Sequence, residues 1–421
     1  MTKAGQCAVR MVIDQVEAKE VPHRGTKPEA LTGVHIARIS TVPFFVVSQL
    51  KHQIESLSAS GAQVTVVTST GPELAALENL PGVACAPIDI PRSISPWRDL
   101  QALIRLFRFF RREHIDIAHS TTPKAGLLTA VAALLAGVPI RLHTFTGQPW
   151  LSMRGVKRSL ARGSDWLIGK LNTRCYADSE SQRRFLVEQG VIDAKQLFVI
   201  GAGSLAGVDL ERFNPGRFSS QEREATRHAI GIQAATAVLL FVGRITVDKG
   251  VHELLEAFRE LKAAGSSAHL VFVGRFDSDS GVEGGISRHD IEGVRDAHIV
   301  GHTECPEAYM AIADILCLPS YREGFGTVVI EAAAMGVPTV GTDIYGLSDA
   351  VVDGETGILV PPQDSAALAM ALTALLCDER KRKQMGVAAK RRVEELFSAN
   401  EVNGKVIEEY CHLLLDGRKV R

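Results

Sequence analysis

Glu323 and Glu331 are separated by Gly324-Phe325-Gly326-Thr327-Val328-Val329-Ile330. Small, loop-forming residues fill the first half of that stretch. An apolar run follows, Val328 to Ile330 and then Ala332 to Ala334. The pattern predicts Glu323 in a loop before a helix, with Glu331 about two turns into it. At ~1.5 Å rise per residue the carboxylates then stand roughly 12 Å apart along the axis. That span suits a nucleotide-sugar, with one acid on the sugar hydroxyls and the other on the ribose. The first amides of the helix between them have no intrahelical acceptor. Together with the helix dipole they favour an anion such as a diphosphate.

A second group of candidates lies in Gly243-Arg244-Ile245-Thr246-Val247-Asp248-Lys249-Gly250, after the apolar run Val238 to Val242. Arg244 offers a planar fork and Lys249 a point charge, so the two can hold one diphosphate from two sides. They would neutralise a leaving nucleoside diphosphate, the largest charge that develops in glycosyl transfer.

These loops need elements to carry them. Val34 to Ile39 reads as a strand, Gln49 to Leu57 as a helix and Val64 to Thr68 as a strand, which is a βαβ unit and implies a parallel sheet. The alternation continues through Ile117, the helix Gly126 to Leu135, the strand Ile140 to His143, and Thr173 to Ala177. A second series runs from Ala237 to Gly243, the helix His252 to Ala263, and the strands Leu270 to Gly274, His298 to Gly301 and Ile315 to Leu318. Pro338 to Gly341 and Gly357 to Val360 close it. Phe213-Asn214-Pro215-Gly216 reads as the linker between the series. The expectation is an α/β chain of two doubly wound domains facing a cleft, with ligands at the carboxyl ends of the strands. Residues 1–30 read as a loose tail, 31–215 as the first domain, 216–395 as the second, and 396–421 as a helix crossing back to the first.

A chain of 421 residues is too long for one core. With 47 Lys and Arg against 48 Asp and Glu, it is not a nucleic-acid binder by composition. No run of apolar residues is long enough to span a bilayer. No apolar leader is evident near Met1, and the scattered cysteines lack a CxxC, so a reducing cytoplasm is expected. Balance hides asymmetry: from Arg92 to Arg174 there are 14 Lys and Arg against four acids, Asp99, Glu113, Asp116 and Asp165.

Gly243-Arg244 with Lys249-Gly250, Pro319 to Gly326, Glu331 to Pro338, and Asp353 to Val360 together resemble the retaining family 4 glycosyltransferases of the GT-B fold. The resemblance implies transfer of a sugar from a nucleotide donor, with UDP the commonest carrier, and no cofactor or bound metal. It implies Arg244, Lys249 and Glu323 as the catalytic set. Gly243, Arg244, Lys249, Glu323, Gly324, Phe325, Gly326, Thr327 and Glu331 would hold the donor, Glu331 on its ribose.

The first half resembles a narrower bacterial group that extends glycans on polyprenyl diphosphate, through Ser120 to Gly126, His143 to Trp150 and Gly203 to Asp209. That implies a lipid-linked glycan acceptor. His119, His143, Thr146 and Gly147 are the candidate acceptor or sugar contacts, with a satisfied core histidine as the alternative for either ring. Relatives often carry His-Gly where Thr146-Gly147 stands here.

On a helical wheel for Leu103 to Arg112, Leu103, Leu106, Phe107 and Phe110 share one face. Arg105, Arg108 and Arg112 share the other, with Phe109 among them. Arg154, Lys157 and Arg158 extend this basic surface. A peripheral site on an anionic inner leaflet is expected, each basic residue contributing ~1 kcal/mol; a solvated helix face is the plainer alternative. Two features mislead. The glycines of Gly201 to Gly207 imitate a dinucleotide loop, but Asn214-Pro215 stops the helix such a loop requires. Asp277-Ser278-Asp279 imitates a metal-binding motif within a Gly/Ser-rich turn. Two other functions use the same residues. One is a nucleotide-sugar epimerase, which would act on donor alone. The other is a non-catalytic sugar-nucleotide or lipid-binding subunit, which would not need Arg244, Lys249, Glu323 and Glu331 together.

Overall fold

A computed structural model describes residues 29–91, 95–233, 236–276 and 285–419. The tail read at 1–30 falls almost wholly outside the described residues, as does the Asp277 to Asp279 motif. The described chain forms two compact units. One comprises the segment up to Gly207 together with Leu396 onward, the other Val208 to Glu395.

The first unit carries a seven-stranded sheet. Its strands are β1 (His35–Ile39), β2 (Gln63–Thr68), β3 (Val83–Pro87), β4 (Ile117–Thr121), β5 (Ile140–Phe145), β6 (Arg174–Ala177) and β7 (Leu197–Phe198). Their order is β3-β2-β1-β4-β5-β6-β7, with every pairing parallel. The second unit carries β8 (Val238–Val242), β9 (His269–Val273), β10 (Ala297–Gly301), β11 (Ile315–Leu318), β12 (Thr339–Thr342) and β13 (Gly357–Val360). Their order is β10-β9-β8-β11-β12-β13, again all parallel. Strands covered on both faces become continuous apolar runs, as in β8 and β11, because no face is left for water. In each sheet the order reverses once, between β1 and β4 and between β8 and β11. That crevice at the carboxyl ends is where doubly wound sheets take ligands.

Three helices cover one face of the first sheet in succession: α1 (Pro96–Glu113), α2 (Pro123–Ala136) and α3 (Gly155–Leu171). α1 starts on Pro96, whose missing N–H is no loss at that position, and ends at His114 in the left-handed region, with Arg111 and Arg112 in its last turn. It buries Ala102, Leu106 and Phe110, with Leu103, Phe107 and Phe109 half-buried against the same core. Phe109 therefore packs on the protein, 5.4 Å from the Phe110 ring, instead of standing among the arginines as the helical wheel implied. In the second unit, α4 (Val251–Ala263) follows β8 and α5 (Thr327–Ala334) follows β11.

The division between the units falls after Gly207, ahead of the linker read at Phe213 to Gly216. Arg212 is the reason: it bonds Glu307 within the second unit, and Phe213 beside it is buried. The last helix, α6 (Ala399–Lys419), belongs to the first unit. Its Tyr410 is fully buried against Arg38 and His119, and its Glu409 accepts bonds from Arg174 and Tyr176. No helix among the described residues is long and apolar enough to cross a membrane.

Candidate active site

The loop after β8 and the loop after β11 meet at the reversal point of the second sheet. Gly250 sets how closely. A Cβ there would lie 1.9 Å from the Pro319 carbonyl oxygen, and its φ of +68° is one that side-chain-bearing residues avoid. Beside it, the Tyr321 amide donates to the Asp248 carbonyl at 2.9 Å. With the backbones locked this way, Lys249 donates to Glu323 Oε1. Ser320 Oγ donates to the same oxygen at 2.8 Å.

Asp248 organises the other side of the loop. It accepts from Thr246 Oγ1 at 2.5 Å and from Arg322 Nη2 at 2.9 Å. Burial alone would raise its carboxyl. The Thr246 hydroxyl and the charges of Arg322, Arg244 and Lys249 outweigh that and hold it below the ordinary range. Arg244, exposed, thus faces the same acidic group as Lys249.

α5 begins at Thr327 on an N-cap, Gly326, in the left-handed region with no side-chain cap. Gly324, Phe325 and Gly326 are buried in the approach to it. The helix begins only at Thr327, so Glu331, its fifth residue, falls in the second turn. Burial pushes its carboxyl up to about 7, Arg212 pulls it down and Glu307 pushes it up. The approach is held from behind by Gly346, where a Cβ would lie 2.7 Å from the Gly324 carbonyl oxygen and 2.8 Å from that of Glu323. Thr342 Oγ1 also bonds the Ser320 carbonyl. None of these supports, Gly346, Thr342, Arg212 or Glu307, lies within the motifs themselves. Only a glycine in a turn-like Tyr345-Gly346 hinted at one of them.

In the first unit, Thr146 and Gly147 follow β5 at the carboxyl end of the sheet and are part-exposed. The histidines are not. His119 is 2% exposed, with Nδ1 2.5 Å from Tyr410 Oη and Nε2 2.7 Å from Thr144 Oγ1. His143 is 1% exposed, 2.9 Å from Ser120 Oγ, with Gly126 pressed against its ring. Burial drives His143 down to about 3. Burial and the neighbouring Arg38 and His143 drive His119 well below its ordinary value. Both rings are buried and hydrogen-bonded within the first unit, as the core alternative for either histidine describes.

Arg105, Arg108, Arg112, Arg154, Lys157 and Arg158 are all exposed. Trp97, at the start of α1, is 70% exposed, followed by Leu100 and Ile104 along the helix. Val156 and Leu160 on α3 are 75% and 61% exposed. Helices of a parallel sheet run against its strands, so these first turns lie at the carboxyl end. The ion pair of Lys124, at the start of α2, with Asp99, at the start of α1, fits that arrangement.

Residues 46–203 match the Glycosyl transferase 4-like domain, and residues 222–392 match Glycosyl transferases group 1. The capsular polysaccharide biosynthesis glycosyltransferase CapM of Staphylococcus aureus is 30% identical over 354 residues, 83% of this chain and 90% of that protein. Anabaena Alr3699/HepE, solved in complex with UDP and glucose, has a TM-score of 0.72 at 18% identity, covering 90% of this chain and 99% of that one. WaaG, a glycosyltransferase involved in lipopolysaccharide biosynthesis, has a TM-score of 0.66 at 17% identity, covering 88% and 99%. At such identities the two structures speak for the fold.

Proposed function

The chain belongs to the family 4, group 1 glycosyltransferases of the GT-B fold, the enzymes of bacterial glycan biosynthesis, and from that premise we propose that it transfers a hexose or N-acetylhexosamine from a UDP-sugar, with retention, to a polyprenyl-diphosphate-linked glycan. The observation that carries the reading is the Lys249–Glu323 pair at the reversal point of the second sheet. It puts a cation, a carboxylate and a helix N-terminus at one crevice. These are the groups needed for a diphosphate and for sugar hydroxyls.

In the proposed step the bond from the anomeric carbon to the donor diphosphate breaks. A bond to the acceptor oxygen forms on the same face of the sugar. The acceptor proton passes to the departing phosphate oxygen. Arg244, Lys249 and the first amides of α5 stabilise the charge that grows on the diphosphate. Glu323 holds sugar hydroxyls, and Glu331 the ribose. No metal takes part in this scheme.

The acceptor is proposed to be recognised by the first unit while that unit rests on the cytoplasmic face of the inner membrane. Exposed Trp97 and Leu100 on α1, and exposed Val156 and Leu160 on α3 next to Arg154, Lys157 and Arg158 in the chain, support such contact, because apolar side chains among cations suit anionic headgroups. The test is incubation of the purified protein with a panel of nucleotide-sugars and polyprenyl-diphosphate sugars. Product mass is read by mass spectrometry and anomeric configuration by NMR. A product of inverted configuration, or conversion of donor without acceptor, would refute the reading.

A further inference from the structure

We propose that Ser320 is a positioning residue for sugar transfer: with Lys249 it holds Glu323 through Oε1 alone, and so presents Oε2 to a hydroxyl of the donor sugar. The inference rests on the reading of Glu323 as the sugar contact.

Ser320 lies two residues beyond β11 and is fully buried. Its carbonyl accepts from Oγ1 of Thr342, itself buried at the end of β12. Pro319, the residue before it, is pinned by the close approach of Gly250. On that fixed backbone Ser320 Oγ lies 2.8 Å from Glu323 Oε1. A carboxylate only accepts, so the hydroxyl is the donor. Lys249 Nζ donates to the same oxygen. Two bonds use the two lone pairs of Oε1.

Both bonds fall on Oε1, and Oε2 accepts none among the described residues. Asp248, in the same crevice, is the contrast. Its Oδ1 accepts from Thr246 and its Oδ2 from Arg322, so both of its oxygens are spent on holding the loop. The Glu323 side chain is 14% exposed, within reach of a ligand but poor in water. An acceptor in that state gains from a neutral donor such as a sugar hydroxyl. Rotation about χ3 would exchange the two oxygens, since that torsion is broad and roughly two-fold. A flexible ammonium follows either oxygen equally well. The Ser320 hydroxyl, fixed by its buried backbone, does not, and it therefore selects which oxygen stays open to the sugar.

Steady-state transfer from the UDP-hexose that wild type uses, with UDP affinity measured by calorimetry, tests this. Ser320→Ala lowers kcat on the order of tenfold. UDP carries no hexose, so the variant binds it as wild type does. In a Glu323→Ala background no carboxylate remains to be oriented, and adding Ser320→Ala then costs no more than about twofold. Ser320→Cys, similar in size but a weaker donor, falls between wild type and Ser320→Ala. Wild-type kcat in folded Ser320→Ala overturns the inference. So does a loss matched by weaker UDP binding, or the same loss repeated in the Glu323→Ala background. Should Ser320→Ala not fold, Ser320→Cys takes its place in both comparisons under the same criteria. Glu323→Ala alone separates the inference from its premise. Wild-type turnover there refutes the sugar contact and the inference with it, whereas lost turnover with an additive Ser320→Ala loss refutes the inference only.

Discussion

Lys249, on the loop after β8, donates a hydrogen bond to Glu323, on the loop after β11, across the point where the strand order of the second sheet reverses. The two residues are 74 apart in the chain. The cation that would meet a diphosphate is thus already oriented by the carboxylate that would meet the sugar. Preorganisation of this kind spares the reaction a rearrangement.

Gly346 is the support of that arrangement most open to a conservative test. Its φ of +86° and the 2.7 Å separation between an added Cβ and the Gly324 carbonyl oxygen leave no room for a methyl group. Gly346→Ala is expected to destabilise the protein by about 2–3 kcal/mol, or to push the Glu323–Gly324 backbone forward. Either way UDP affinity falls. Thermal melts and calorimetry check it; wild-type melting with wild-type affinity would show that the contact does not matter.

Asp178 gives a prediction with a defined pH window. Its carboxyl, just after β6, is buried, and Oδ1 has no partner among the described residues; burial raises it to about 8. The folded form thus holds a proton that the unfolded chain releases above about pH 4. Stability from this group is full at acid pH and declines as pH rises towards about 8. Asp178→Asn removes the titration. The variant should match wild type near pH 4 and melt progressively higher than wild type as pH rises through neutrality. A constant offset at all pH values would contradict this.

The apolar tip of α1 and α3 is tested by vesicle sedimentation. Trp97→Ala with Leu160→Ser, and separately Arg154→Glu with Lys157→Glu and Arg158→Glu, should each release the protein from phosphatidylglycerol-containing vesicles. The charge-reversed variant loses at least ~3 kcal/mol, and the wild-type interaction weakens with salt. Binding equal to wild type in both would leave this face a solvated one. Concentration-dependent self-association lost in the Trp97 variant would point instead to a second copy.

Much of this fold was legible because parallel strands buried on both faces become unbroken apolar runs. Val238 to Val242 and Ile315 to Leu318 needed no other signal. β3 was not legible: Val83 to Pro87 is a part-exposed edge strand ending in proline, too mixed to separate from a loop. The carboxylate and cation motifs were legible because each lies on one short stretch of chain. Arg212 and Glu307, 95 residues apart, meet only through tertiary packing. The histidines show the converse. Residue type left a ligand and a core group both open, and the bonds of Tyr410 and Thr144 to His119 are ones no local pattern records. Phe109 left its expected place for a similar reason. The wheel gives a direction for a side chain, but the neighbouring helix decides whether anything covers it.

The central claim is that Lys249 and Glu323 form one donor site, and the most direct measurement is sugar transfer by purified Lys249→Ala protein. The pair is only part-buried, so its removal should cost about 1–3 kcal/mol of stability and leave the fold intact. Transfer from a UDP-sugar that wild type uses, onto a polyprenyl-diphosphate sugar, should fall by roughly 10²–10³. Transfer at the wild-type rate by the folded variant would contradict the account.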